Sequence, residues 1–412
     1  MKFSITLIAL MLFLLLNCSN ATNKDSDNYS DADWHASRID YDLIKANTHF
    51  AADMLKQLIS ADSQNIFYSP LSLSIALSMC LNGARGSTLT EMQDVLHYQD
   101  FTLEKLNVMN QHFIRSLVDV DTQVELGLAN SIWIVDGYPM LENYIATNEE
   151  YFFAEIFQDQ PFNDETIAGI NNWVNEKTEG RIPLLLRSLS DDDVMVLINA
   201  QYFYADWSVP FDPESTSEKP FKTDQNEYVT VPFMCSSGHD FTFRDEKDFR
   251  AARLPYGNGN MAMYVFAAAD IDEFIMDMDV TEFNNLFAGF AAIPLEQQKG
   301  SLFAMPSFEI SFSADYNKYF GALGMTKAFS TSADFSGMVA EPHHPWISKV
   351  AQVANITVNE NGTTAAAVSY IFMTESISEG YEFILDRSFL YIIRDDRNGT
   401  ILFMGILDDP SM

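Results

Sequence analysis

Residues able to do covalent chemistry are scattered through this chain of 412 residues. Its seven histidines never gather, and the one adjacent pair, His343 and His344, lies between Pro342 and Pro345 and reads as a loop. No nucleophile elbow, zinc-ligand spacing or phosphate-binding loop occurs, and Gly257-Asn258-Gly259-Asn260 reads as a turn. Neither an enzyme nor a metal site nor a cofactor is expected. The stretch that stands out is residues 358–377, Val-Asn-Glu-Asn-Gly-Thr-Thr-Ala-Ala-Ala-Val-Ser-Tyr-Ile-Phe-Met-Thr-Glu-Ser-Ile. Its middle is small and uncharged, which suits neither an ordinary buried strand nor a flexible linker. Alternation of side chains along a strand would put Thr363, Ala365, Ala367, Ser369, Ile371 and Met373 on one face. Thr364, Ala366, Val368, Tyr370, Phe372 and Thr374 would share the other. Neither face carries a charge, so the segment could slide between two existing strands without burying an unpaired ion. Gly362 supplies a hinge where strand geometry begins. The alternative is an ordinary Ala-rich strand or helix near the C-terminus.

Elements able to hold such a segment are legible elsewhere. Residues 41–59 place Leu43, Phe50, Met54 and Leu58 near one helical face. Ser69-Pro70 opens a helix that is apolar nearly all round, and Asn82-Gly83-Ala84 stops it. Residues 87–96 predict another helix, with Ser87 and Glu91 placed for capping and first-turn charge. Residues 124–135 read as a strand closed by Asp136-Gly137, residues 167–178 as a helix ended by Gly180, and residues 194–207 as a long central strand. No repeat appears and no Pro/Ser-rich linker divides the chain. One α+β domain with large sheets, over residues 41–412, is the expected architecture.

Composition narrows the partners. With 24 Lys+Arg against 58 Asp+Glu, the formal charge of -34 makes nucleic acid and anionic membrane surfaces poor partners. A content of 47% hydrophobic residues is ample for a packed core. Lys2 followed by an apolar run over residues 5–16 reads as a secretory signal spanning residues 1–18, too short to cross a bilayer. The ending Leu14-Leu15-Leu16-Asn17-Cys18 resembles a bacterial lipoprotein signal with Cys18 as the lipidated residue, although Asn17 stands where Gly or Ala is usual. A soluble secreted protein cut nearby is the alternative. Either way the protein is expected outside the cytoplasm, secreted or at the cell surface, touching a membrane only through such a lipid. Residues 19–40, with Asp25, Asp27, Asp31 and Asp33, read as an acidic tether that lacks the glycine and closing glutamate of a calcium loop. Cys80 and Cys235 are expected to be buried free thiols, a disulfide between them being the alternative.

A series of motifs then runs in order along the chain. It includes Asn65-x-Phe67-x-Ser69-Pro70-x-Ser72, Ala129-Asn130-x-Ile132-Trp133, Ile170-Asn171-x-Trp173-Val174 with Thr178-x-Gly180, and Asn199-Ala200-x-Tyr202-Phe203 with Trp207-x-x-Pro210-Phe211. Leu254-Pro255-Tyr256, Met305-Pro306-x-Phe308, Gly324-Met325-x-x-Ala328-Phe329, Asp334-Phe335-Ser336 and Ile347-Ser348-Lys349-Val350 follow. The series closes with Val358-Asn359-Glu360-Asn361-Gly362-Thr363-x-Ala365-Ala366-Ala367, Phe389-Leu390, Ile401-Leu402-Phe403-Met404-Gly405 and Pro410. In content and spacing this resembles the serpins, from about Tyr41 to Pro410.

The resemblance implies a fold of three β-sheets and about nine helices with an exposed reactive-centre loop. It also implies a suicide-substrate inhibitor of serine, and by extension cysteine, endopeptidases. In that family the cleaved loop enters the main sheet as a new strand and drags the acylated protease with it. The expected partner is thus a protease held as a covalent acyl complex by a monomer. A non-inhibitory relative acting as a carrier or chaperone is the alternative. Residues 363–376 would extend roughly 45 Å as a strand. About a dozen ladder bonds at roughly 0.5–1.5 kcal/mol each, with burial of Ile371 and Met373, give a driving force on the order of 10 kcal/mol. Glu360, Gly362, Thr363, Ala365, Ala366 and Ala367 match the family's hinge, while Val368 and Ser369 depart from it. Val368 falls on the face opposite Thr363, expected to point outward.

Ser69, Ser72 and Asn199 match the hydrogen-bonded cluster beneath the main sheet, Gln352 stands where a histidine is common, and Trp207 matches the aromatic residue at the insertion point. Counting from Glu360 places the bait at Ser376, with cleavage before Ile377; counting back from Phe389 gives Ile377. Glu375, Ser376 and Ile377 are all candidates for the reactive bond. No Arg or Lys lies between Gly362 and Tyr381, which disfavours trypsin-like targets and favours elastase-like or subtilisin-like ones, with a glutamate-specific protease open through Glu375. Two glycosylation sequons, at Asn355 and Asn361, fall in or beside segments that must pair in the sheet. They point to a cell that leaves sequons bare, such as a bacterium.

Overall fold

Apolar runs with no polar alternation form the centre of the protein. The strand Thr400–Leu407 is buried at every position, as expected of a strand covered on both faces. Here the backbones come so close that a Cβ on Gly405 would lie 2.0 Å from the carbonyl oxygen of Ile66. The computed structural model describes residues 38–61, 65–117, 123–190, 192–238, 240–363 and 380–412.

Three sheets organise these residues, of seven, six and four strands. The seven-stranded sheet runs in the order Ile66–Tyr68, Thr400–Leu407, Phe389–Asp395, Met261–Ala268, Phe249–Tyr256, Thr242–Asp245 and Ala291–Ala292. The four-stranded sheet joins Glu382–Ile384, Leu302–Pro306, Tyr228–Ser236 and Ser217–Lys222. The six-stranded sheet, which frames the candidate site, runs Phe308–Asp315, Ala351–Val358, Gly362–Thr363, Met195–Asp206, Val124–Val135 and Glu155–Gln160.

Helices cover the six-stranded sheet on both faces. Helix Pro70–Leu81 begins at Ser69, whose hydroxyl accepts the Ser72 amide at 3.0 Å, with Pro70 at the first position where its missing N–H costs nothing. It is buried nearly all round and lies against Met195–Asp206. Helix Asp164–Lys177, capped by Asn163, packs Ile170, Trp173 and Val174 against Trp133, Ile198 and Ala200 on the opposite face. Alternate residues of Met195–Asp206 therefore serve two different cores.

Some local expectations shift. The helix expected over residues 87–96 spans Gly86–Val95 and starts from Arg85 with no side-chain cap. Ser87 lies inside the first turn instead, and Glu91 accepts the Thr326 and Lys327 amides at 2.8 Å, serving a neighbouring segment rather than its own helix start. Cys80 is buried as expected and Cys235 is half-buried; both are free. Burial pushes the Cys80 thiol up to about 12, so it is inert at neutral pH. Among the described residues no group of acidic, histidine or cysteine side chains is arranged to hold a metal ion, and no helix is long and apolar enough to cross a membrane.

Candidate functional site

The site is a gap in the six-stranded sheet. Strands Met195–Asp206 and Ala351–Val358 are paired on their outer sides, to Val124–Val135 and to Phe308–Asp315. Among the described residues they are joined to one another only through Gly362 and Thr363, which sit between them at one end. Thr363 pairs with Val358 on one side and with Ala205 on the other, antiparallel in both cases. Beyond Thr363 the two strands border a cavity of about 990 Å³. Its lining includes both strands and, from helix Pro70–Leu81 and its cap, Ser69 and Ser72.

The entrance is held by a tight set of contacts. A reversal at residues 359–362 brings the chain back, with Asn359 N–H donating to Gly362 O at 3.0 Å. Trp207 spans this reversal: its backbone N–H donates to Asn361 O at 2.7 Å and its indole Nε1–H to Asn359 O at 2.9 Å. The buried indole stacks on Tyr256, ring centres 4.5 Å apart. Glu360 accepts the Thr216 hydroxyl at 2.6 Å and its carbonyl accepts the Phe211 amide at 2.7 Å. Gly362 fits because it has no side chain, since a Cβ there would lie 2.1 Å from Ala205 O. Thr363 is buried, its hydroxyl 2.8 Å from that of Tyr256. Burial holds the Tyr256 phenol neutral, its ionisation pushed far above the ordinary value.

Deeper in, a polar cluster spans the gap. Gln352 makes two bonds to one residue: Oε1 accepts the Ser69 N–H at 2.9 Å and Nε2 donates to Ser69 O at 3.0 Å. The Ser69 hydroxyl donates to Gln201 Oε1 at 2.6 Å, so strands Ala351–Val358 and Met195–Asp206 are both tied to the helix cap between them. Ser72 donates to the backbone oxygen of Asn199 at 3.3 Å. The Asn199 amide itself donates sideways to Asn130 Oδ1 at 2.7 Å, and Asn130 in turn donates to Phe152 O at 2.7 Å. Two buried atoms of this cluster, Asn199 Oδ1 and Gln201 Nε2, have no protein partner. A glutamine at 352 makes the cluster independent of pH in the range where a histidine would titrate.

A covering segment, residues 178–190 and 192–193, is tied to both sides of the gap. Tyr202 donates to Glu179 at 3.0 Å, Asn355 Nδ2 donates to Arg181 O at 2.9 Å, and Ser348 donates to Asp193 at 2.8 Å. Asn355 is thus occupied by the fold within its sequon, accepting also from Ser311 at 2.8 Å.

The structure therefore brings Glu360, Gly362, Thr363 and Trp207 together at the entrance, and Ser69, Ser72, Asn199 and Gln352 together inside. Ala365, Ala366, Ala367, Glu375, Ser376, Ile377 and Cys18 lie outside the described residues. Sequence reasoning gave no site role to Tyr256 or Asn130, although both fall in the motif series, and missed Thr216 and Gln201. Gln201 was within reach, because it shares a strand face with Asn199 by simple alternation. The Leu254-Pro255-Tyr256 motif marked Tyr256 without placing it beside residues 360–363, and Thr216 carries no local signal.

Three sheets, a gap beside a two-residue strand and a capped helix beneath it define a serpin-type architecture. The comparisons agree. A family model described as "Serpin (serine protease inhibitor)" matches residues 45–410. Leukocyte elastase inhibitor of Sus scrofa is 31% identical over 379 residues, covering 89% of this chain and 99% of that protein. The thermophilic serpin tengpin in its native state superposes with a TM-score of 0.80 at 27% identity, over 89% of this chain and 94% of that one. Its latent state fits less well, at 0.75. Thyroxine-binding globulin in complex with thyroxine superposes at 0.78 with 26% identity, covering 89% and 99% of the two chains. The chain belongs to the serpin family. That family is in general one of protease inhibitors.

Proposed function

We propose that this protein is a suicide-substrate inhibitor of serine and cysteine endopeptidases and not itself an enzyme. The observation that carries this reading is the open gap already started by Gly362 and Thr363. Continuing the register, Ala365 falls opposite Phe203, Ala367 opposite Gln201, Ser369 opposite Asn199, and Met373 opposite Met195 at the strand's end. Because Thr363 points inward, the same face receives Ala365, Ala367 and Ser369, small enough for the space above helix Pro70–Leu81. Val368 goes outward, where its bulk meets solvent. The Ser369 hydroxyl would reach the strand position whose Asn199 Oδ1 lacks a partner.

The target is an elastase-like or subtilisin-like protease, cut at one of the bonds around Glu375, Ser376 and Ile377. The small and aliphatic bait supports this, as does the similarity to a leukocyte elastase inhibitor. We further propose export through residues 1–18, anchoring by a lipid on Cys18, and a bacterial source. Mixing the full chain with elastase or subtilisin should give an SDS-stable band at the summed mass and a marked rise in thermal stability on loop cleavage. Cleavage with neither would overturn the inhibitory reading in favour of a carrier. Steady hydrolysis of casein without consumption of the protein would overturn the non-enzyme reading. Thr363→Arg would place a guanidinium in the buried slot beside Tyr256, turning the inhibitor into a substrate with at least about tenfold less covalent complex.

A further inference from the structure

We propose that Asn361 and Gly362 form a self-modifying site, at which spontaneous loss of the Asn361 side-chain amide ages the hinge of the loop. Asn-Gly pairs are the dipeptides in which this chemistry is easiest, because a glycine nitrogen meets no side chain as it approaches the preceding residue. The chain contains four such pairs, at 82–83, 258–259, 361–362 and 398–399. The reaction needs the glycine nitrogen freed of its proton and its hydrogen bond. In three pairs that N–H is firmly held: Gly83 to Cys80 O at 2.9 Å, Gly259 to Tyr256 O at 2.7 Å and Gly399 to Asp395 O at 2.8 Å. At Gly362 the bond, to Asn359 O, is long at 3.3 Å. The side chains differ as well. Oδ1 of Asn82 accepts Asn107 at 2.9 Å, Oδ1 of Asn258 accepts Asn260 N–H at 3.2 Å, and Oδ1 of Asn398 accepts Thr400 N–H at 2.9 Å, each holding the amide in place. Asn361 is half-buried, as are Asn82 and Asn398, so exposure does not set it apart; the hydrogen bonds do.

The step balances with water as the only co-reactant. A base takes the Gly362 amide proton, the nitrogen attacks Cγ of Asn361, the Cγ–Nδ2 bond breaks, and nitrogen leaves as ammonia with the proton returned. Water then opens the cyclic imide. Cleavage at Cγ leaves aspartate, and cleavage at the backbone carbonyl leaves isoaspartate, whose main chain runs through Cβ. Either product alters the hinge. Aspartate adds a carboxylate next to Glu360 in the chain and one residue before the Gly362 that pairs with Asp206. Isoaspartate turns the Asn361 oxygen that holds the Trp207 amide into a free carboxylate and lengthens the main chain by one methylene, against the pairing of Thr363 with Val358 and Ala205. The fold requires the glycine half of the pair, since only glycine passes Ala205 O at position 362.

The loss of inhibition that follows rests on the function proposed above; the modification does not. The full chain is incubated in mildly alkaline buffer at body temperature and sampled by peptide mapping for a mass gain of about 1 Da, with isoaspartyl methyltransferase labelling as a second readout. Asn361 should convert about fivefold or more faster than Asn82, Asn258 and Asn398; an equal or slower rate overturns the proposal. Hydrogen exchange at Gly362 and Thr363 should rise in proportion to the converted fraction, and unchanged protection overturns the effect on the hinge. Covalent-complex formation with elastase or subtilisin should decay in step, whereas in Asn361→Gln it should stay at its starting level, whatever that is. If fresh protein forms no complex, the inhibitory reading fails while the peptide map and the exchange data still decide this one.

Discussion

The hydroxyls of Thr363 and Tyr256 lie 2.8 Å apart in a buried pocket at the mouth of the six-stranded sheet, between residues 107 positions apart in the chain. This one contact fixes the loop's first inward-facing residue to the stationary core. With Gly362, Thr363 forms a two-residue strand between the two long strands of the sheet. Tyr256→Phe leaves the Thr363 hydroxyl buried with no partner from this residue, at a cost of about 1–3 kcal/mol. The hinge should then withdraw more often, read as faster hydrogen exchange at Gly362 and Thr363, with exchange in the seven-stranded sheet unchanged.

Gln352 should prove the strongest single link across the gap. Gln352→Ala takes its partner from the buried Ser69 N–H and leaves the Ser69 carbonyl with the Leu73 amide alone, costing about 1–3 kcal/mol. A lower midpoint in urea is the expected result. Gln352→His should restore part of the loss and bring a dependence on pH near neutrality that the native protein lacks.

The unpartnered Asn199 Oδ1 gives a test of the inserted register. If cleavage inserts residues 364–373 in the proposed register, with Ser369 opposite Asn199, then cleaved Ser369→Ala should be less stable than the cleaved native protein by about 1 kcal/mol. The uncleaved forms should match in thermal unfolding. Equal loss in both forms would place Ser369 elsewhere.

Asp408 makes stability depend on pH. Burial first, and then the charges of Asp272 and Asp224, push its carboxyl up to about 7. The folded protein therefore holds a proton that the unfolded chain, at an ordinary carboxylate value, has released. Between roughly pH 4 and 7 the folded state binds more protons, so the contribution is fully present below that window and is lost as pH rises through about 7. Asp408→Asn should flatten this slope, worth a few kcal/mol across the window, in urea unfolding at several pH values.

Much of this was written locally. The Ser69-Pro70 cap, the parity of residues 363–373 and the absence of charge between Gly362 and Glu375 follow from rules that act over a few residues: alternation, capping and the cost of burying ions. The ordered motifs from Asn65 to Pro410 placed the chain in its family. What those rules cannot reach is which strand borders meet. Ser69 and Gln352 are 283 positions apart and Trp207 and Asn359 are 152 apart, and neither pairing leaves a mark in the flanking residues. The capping expected of Ser87 failed for the same reason, because the chain enters that helix one residue earlier, at Gly86. Sequence alone thus determined that residues 358–377 could become a strand. Only the tertiary structure decided that Gly362 and Thr363 already are one, because pairing on both sides depends on two strands brought together from distant parts of the chain with a gap left between them.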